Sequence, residues 1–193
     1  MAKRVFFAFH YQDVIDFRAN VVRNHWMTKP DREEAGFFDA SIWESARRQG
    51  EVALKRLING GLDNTSNTCV LIGSQTYARP WVRYELLKSF RRSNHLFGVH
   101  INGIKSKDGA VKPQGPNPLE YVGVTFSQDG STATLWERNE SEWVQYDKID
   151  GSANYTFQVE QQFRGKGFNL ANWYSVYDWN ANNGYNNFSS WVK

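Results

Sequence analysis

Cysteine is all but missing from this chain. Cys69 stands alone among 193 residues, which excludes an intramolecular disulfide and any multi-cysteine metal site and points to a reducing compartment. Long apolar runs are missing too. No stretch approaches the roughly 18 apolar residues a membrane span needs. The opening run Val5-Phe6-Phe7-Ala8-Phe9 starts like a signal peptide, but His10, Tyr11, Gln12 and Asp13 cut it short. Nor does one sign of charge dominate: 23 Lys plus Arg face 20 Asp plus Glu, far from the balance of a dedicated nucleic-acid binder. There is no Gly-x-Gly-x-x-Gly, no phosphate-loop lysine motif and no Gly-x-Ser-x-Gly elbow, which argues against a Rossmann dehydrogenase, an ATPase and an elbow-type serine hydrolase. The expectation is a cytoplasmic globular chain with no membrane or nucleic-acid partner. Its length suits a single domain over residues 1–193 with a core that needs no disulfide or metal.

What the chain does have is aromatic rings. Eight Trp, 9 Tyr and 13 Phe make up 16% of it. Such rings either fill a core or line a pocket for a flat ligand, and composition does not choose between the two.

The pattern along the chain is α/β. Val5–Phe9 and Thr68–Gly73 are short continuous apolar runs, the signature of strands buried on both faces, and His95–Ile101 gives another. Between the first two, Asp13 is placed to cap a helix over Val14 to about Trp26. Lys29-Pro30-Asp31 breaks that helix, the stretch Gly36–Ser41 is read as a loop holding a short strand, and a second helix is expected from Ile42 to Ile58, stopped by Gly60-Gly61. Pro80 sits where a first helical residue belongs, opening a helix to about Arg92. This alternation predicts a flavodoxin-like parallel sheet flanked by helices. Residues 105–168 interrupt it, first as a Lys/Gly/Pro-rich loop, then as a small antiparallel β insertion over Tyr121 to Asp147, closed by Gly165-Lys166-Gly167. Trp173–Tyr177 is the candidate last strand and Asn183–Val192 a closing helix. The insertion reads equally as a lid or docking surface and as a passive flap over a sheet edge.

One residue is out of place. Val82, Leu86 and Phe90 form the apolar stripe of the Pro80–Arg92 helix, and Glu85 borders that stripe one turn beyond Trp81. A carboxylate there is costly unless something pairs with it, and Arg79 or Arg83 could do so. The alternative is function. In an open parallel sheet, ligands bind beyond the carboxyl ends of the strands where strand order reverses. His10 and Tyr11 follow one strand, Ser74 follows another, and Glu85 points to the same edge. His95 and His100 stand in opposite registers with no partner motif, so no metal site is expected. Cys69, inside a strand, is no nucleophile candidate.

At these residues the chain resembles a family. Arg4–Asp13 is similar to the opening box of TIR domains in their bacterial TIR-like variant. Val70–Thr76 followed by Trp81-Val82-Arg83-Tyr84-Glu85-Leu86 resembles that variant's middle motif, with the TIR Trp-x-x-x-Glu. Leu96–Ile101, Tyr177-Asp178-Trp179 and Gly184–Asn187 resemble it as well, so the match covers roughly residues 4–104 and 173–193. Size and insertion resemble most the TIR proteins of the Thoeris antiphage defence system. The resemblance implies an enzyme that takes NAD as substrate, with no further cofactor, and cleaves its nicotinamide–ribose bond. It further implies that a cyclic ADP-ribose isomer is made as a diffusible signal for an effector NADase, with activity awaiting infection. Glu85 falls on the family's catalytic glutamate and Trp81 on its preceding aromatic. His10, Tyr11, Asp39 and Ser74 complete the substrate-binding candidates, and no metal ligand is expected. No long BB loop of the animal TIR kind is recognisable, which leaves self-association and a phage-derived trigger open. Two other classes stay open: a non-enzymatic TIR adaptor, which would tolerate loss of Glu85, and a nucleoside deoxyribosyltransferase-like enzyme, which would turn over free nucleosides and ignore NAD.

Overall fold

The computed structural model describes residues 3–38, 40–149, 153–154 and 159–193. Five parallel strands form the main sheet: β1 (Lys3–Phe9), β2 (Arg32–Ala35), β3 (Asn67–Ile72), β4 (His95–His100) and β10 (Val176–Asp178), in the order β10-β4-β3-β1-β2. Side-chain alternation along β1 shows how the layers are built. Val5 and Phe7 point to one face, where Ala19, Val22 and Trp26 of α2 (Arg18–Met27) and Phe188 and Trp191 of α6 (Gly184–Trp191) close over them. Phe6 and Ala8 point to the other, toward Ile58 and Leu62 of α4 (Glu51–Leu62) and Leu86, Leu87 and Phe90 of α5 (Pro80–Arg91). All six residues of β3 are buried, as the apolar run required of a central strand covered on both faces.

Three local readings are corrected. The first helix is two: α1 (Tyr11–Ile15) and α2, separated at Phe17, whose left-handed φ of 66° breaks the continuous turn. Asp13 is therefore no cap; His10 holds that position, and Asp13 lies buried inside α1. The short strand is not within Gly36–Ser41 but just before it, as β2 at the sheet edge. The next helix is also two, α3 (Ala40–Gln49) and α4, divided at Gly50 with φ 98°. Gly60-Gly61 does not stop α4. A Cβ on Gly61 would lie 2.9 Å from the Phe38 ring and 3.0 Å from Phe6, so glycine serves close packing there, and the helix runs on to Leu62.

The segment after β4 forms a second, antiparallel sheet from β5 (Val122–Phe126), β6 (Thr132–Asn139), β7 (Glu142–Gln145) and β9 (Gly167–Asn169), in the order β7-β6-β5-β9, with β8 (Ala153–Asn154) pairing β6. Gly167 does not close the insertion; it begins β9, which pairs with β5. This sheet packs on α5. Its inner face, with Val122, Val124, Phe126 and Leu135, joins the same apolar cluster as Leu86, Leu87 and Phe90 of α5. Helix α5 is thus packed between two sheets, so the flap reading fails on packing.

The loop from Asn102 to Asn117 is tied down as well. Arg18, 1% exposed, donates to the carbonyls of Ile104 (2.9 Å) and Ala110 (2.9 Å), and its other nitrogen pairs with Asp16 at 2.8 Å. Lys112 also pairs with Asp16. The backbone at Gly115 then lies so close to the turn after β3 that a Cβ would come within 2.3 Å of the Gly73 carbonyl oxygen.

Candidate active site

Strand order reverses between β1 and β3, and the carboxyl ends of β1 and β2 open there onto a small cavity of about 50 Å³. Among the described residues it is lined by Phe9, Tyr11, Gly36, Phe38, Trp43 and Glu85. Each comes from a different local cause. Phe9 ends β1, and Tyr11 opens α1. Gly36, at φ 89°, turns the chain out of β2, so close to Phe7 that a Cβ would sit 2.3 Å from its carbonyl oxygen. Phe38 and Trp43 stack at 6.3 Å between centroids, 17° from parallel. Glu85 comes from the second turn of α5.

Glu85 is 6% exposed, and its Oε2 has no hydrogen-bond partner. The ion pair with Arg79 or Arg83 that would have made it structural does not form: Arg83 instead pairs with Glu137 on β6 at 3.0 Å, and the Nε of Arg79 is itself buried and unpaired. Burial alone raises the Glu85 carboxyl well above the ordinary carboxylate range. Burial therefore favours the uncharged acid over the carboxylate in this small cavity.

A second buried carboxylate lies on the same edge of the sheet. Asp13 is 2% exposed, and its oxygens lie where a side chain on Gly73 would stand, 2.3 and 2.4 Å from the position of a Cβ. Burial raises it to about 6, against the pull of Lys112 and Arg18. Its Oδ2 has no hydrogen-bond partner, while the nearby Thr76 hydroxyl receives the Gly73 N–H at 2.9 Å. His10 is lowered, first by burial and then by Arg79 and Lys112, which favours the neutral imidazole.

Of the sequence candidates, the structure brings Tyr11 and Glu85 together. His10 and Ser74 stand on the same edge but do not line the cavity; Ser74 lies beneath the loop at Gly115. Trp81 turns away, edge-on to Tyr84 at 5.7 Å and with the Lys148 ammonium 5.9 Å over its ring. Asp39 lies outside the described residues. Sequence reasoning missed Phe9, Phe38 and Trp43. The signal for them was the aromatic spacing Phe37-Phe38…Trp43 beside a strand end.

The TIR-like domain model of the Thoeris protein ThsB matches residues 6–106 of this chain. This span runs from within β1 to beyond β4 and includes every described residue of the cavity. Over 194 residues, covering all of both proteins, the chain is 55% identical to a Bacillus cereus (strain MSX-D12) protein named "Putative cyclic ADP-D-ribose synthase ThsB1". The chain belongs to the ThsB TIR-like family. The ThsB match ends near the start of the pinned loop, so the antiparallel sheet lies outside the matched domain. Among the described residues of this ThsB family member no group of three His, Cys, Asp or Glu could hold a metal, and no helix is long and apolar enough to cross a membrane.

Proposed function

We propose that the chain cleaves the nicotinamide–ribose bond of NAD⁺ and joins the two ends of the remainder into a cyclic ADP-ribose isomer, a diffusible signal that activates an effector NADase during phage infection. The observation that carries this reading is the unpaired Glu85 carboxyl in an aromatic cavity at the strand-order reversal. The relative named as a cyclic ADP-D-ribose synthase supports it.

The residue types suit the chemistry. The C1′–N bond breaks with its electron pair going to the nicotinamide ring, which leaves neutral, and positive charge develops on the ribose. A carboxylate beneath that ribose stabilises the charge, as in glycosidases. Phe9, Tyr11, Phe38 and Trp43 offer faces on which the cationic nicotinamide ring of the substrate can stack. An atom of the adenosine half then captures the ribosyl cation, a proton is released, and exclusion of water keeps hydrolysis from competing. NAD⁺ is the substrate, and the reaction as written needs no metal or further cofactor.

The same geometry makes the resting site incompetent. Small-molecule sites typically enclose about 300–1,000 Å³, against about 50 Å³ here, and burial disfavours the ionised form of Glu85. The cavity must open to admit the substrate. Opening hydrates Glu85, and the cationic ring favours its ionised form. A phage-derived trigger, or a second copy of the chain, supplies the free energy for that opening.

The test uses low-mass filtrates of phage-infected cells carrying the chain or its Glu85→Gln form, added to a purified effector NADase of the same defence type. Wild-type filtrate should start NAD⁺ loss and the Glu85→Gln filtrate should not. Equal activation by both would remove Glu85 from the reaction.

A further inference from the structure

Helix α1 is put together against its own sequence. Tyr11, Gln12 and Ile15 face solvent, while Asp13 is buried with its Oδ2 unpaired. The residue that separates α1 from α2 is Phe17, held at φ 66°, a conformation that is costly for any residue with a bulky side chain. Its ring is 53% exposed, so packing of the ring is not what imposes the turn. A five-residue helix therefore carries two costs, a lone buried carboxyl and a strained bulky residue.

One continuous helix would remove both. Ile15, Ala19, Val22 and Trp26 are spaced by four, three and four residues. On an unbroken helix Ile15 thus joins the stripe that α2 already buries, and Asp13 falls on the opposite, outer side. What opposes this is a clamp at Asp16, the residue that caps α1. Its carboxylate accepts from Arg18 at 2.8 Å and from Gln12 at 3.2 Å, and pairs with Lys112. Lys112 belongs to the loop whose carbonyls at Ile104 and Ala110 bind Arg18, so the loop, Asp16 and the start of α2 are tied at one point. At the other end of α1 stands Tyr11, a wall of the Glu85 cavity.

We propose that α1 is an autoinhibitory spring. The Asp16 clamp holds it kinked with Tyr11 against the cavity, and release of the clamp lets α1 and α2 fuse into one helix, which draws Tyr11 away and opens the site to NAD⁺. This rests on NAD⁺ being the substrate, whereas the switch itself is a property of the helix. A switch needs two packings of nearly equal free energy. Strain at Phe17 and burial of Asp13 favour the fused form, and the charge-assisted bonds of the clamp favour the kinked one.

Asp16→Ala tests it, since it cuts the ties to both Lys112 and Arg18 and touches no described residue of the cavity lining. Arg18, Ala19 and Asn20 open α2, and Val21 is the first whose amide reaches back to the Phe17 carbonyl. The three earlier amides gain helical carbonyl partners only if the helices fuse. In Asp16→Ala their hydrogen exchange, followed by NMR, should slow about tenfold or more, and the purified variant should release nicotinamide from NAD⁺ about tenfold faster than the wild type. Phe17→Gly, which takes the left-handed φ freely, should undo both effects when combined with Asp16→Ala. Lys112→Met should give the same changes to a smaller degree, and it decides the matter if Asp16→Ala misfolds. Unchanged or faster exchange at residues 18–20, the result that mere loosening of α1 gives, would overturn the proposal. So would effects that persist with Phe17→Gly, or slowed exchange with nicotinamide release at the wild-type rate when infected wild-type cells do make cyclic product. If those cells make none, the NAD⁺ reading falls, and the exchange of the three amides alone decides whether the helix switches.

Discussion

At the scale of single residues, two buried carboxyls carry most of the account, and both were visible in the sequence only in part. Glu85 stood out because a charge bordered an apolar stripe. Its isolation could not be read, since Arg79 and Arg83 were within helical reach and only the antiparallel sheet draws Arg83 to Glu137. Because Glu85 is buried without a partner for its Oε2, Glu85→Gln should leave thermal stability unchanged or slightly raised while lowering product formation about 100-fold or more. Thermal melts and product assays on one preparation check both. Asp13 was misread as a helix cap, because capping signals are local and its burial against Gly73 is not. Its carboxyl is raised to about 6, above its ordinary value, so the folded state binds a proton that the unfolded state has released between those two values. Asp13 therefore costs stability above pH 6, and the cost fades as pH falls through 6 towards 4. Asp13→Asn should stabilise the protein at pH 7.5 by about 1–3 kcal/mol, roughly 3–10 °C in Tm, with the gain vanishing near pH 4. A constant gain across that range would show that ionisation is not its cause.

At the scale of elements, α5 is the member on which everything bears. It carries Glu85, packs on the parallel sheet through one side, and meets β5 and β6 through another. Arg83 bridges it to the insertion, bonding Glu137 and, at 3.1 Å, Asn139. Removing one partner of this partly buried pair should cost about 1–3 kcal/mol, most of it from stranding the other charge. Arg83→Met paired with Glu137→Leu should then be less destabilised than the sum of the singles, measured by urea unfolding; strict additivity would mean that the pair does not couple the elements. The same packing changes what excision of the insertion means. Removing residues 123–148 would uncover Leu86, Leu87 and Phe90, so the deletion would unfold α5 before it could report on a lid. The parallel sheet, α5 and the closing helix were legible because each has a strong period and clear ends. The breaks at Phe17 and Gly50 were not, because each is a single positive φ inside an otherwise helical run, which no period or composition marks. Nor was the partner face of the insertion, since alternation shows that a strand has an inner side but not what that side meets.

At the scale of the whole molecule, the pinned Asn102–Asn117 loop seats on the same sheet edge that carries the Glu85 cavity. Arg18 fixes the loop through two carbonyls, and the loop backbone at Gly115 seats on the turn after β3. A cavity of about 50 Å³ with Glu85 buried in it predicts that the purified chain, with no phage component present, releases nicotinamide from NAD⁺ only slowly. Rapid turnover by the isolated protein would show that the cavity opens unaided. The central claim, that the Glu85 carboxyl cleaves NAD⁺ to make a cyclic product, is tested most directly by mass spectrometry of extracts from phage-infected cells carrying either form of the chain. The wild type should accumulate nicotinamide and a product one water lighter than ADP-ribose, and Glu85→Gln neither. The same product at the same level from Glu85→Gln would contradict the account.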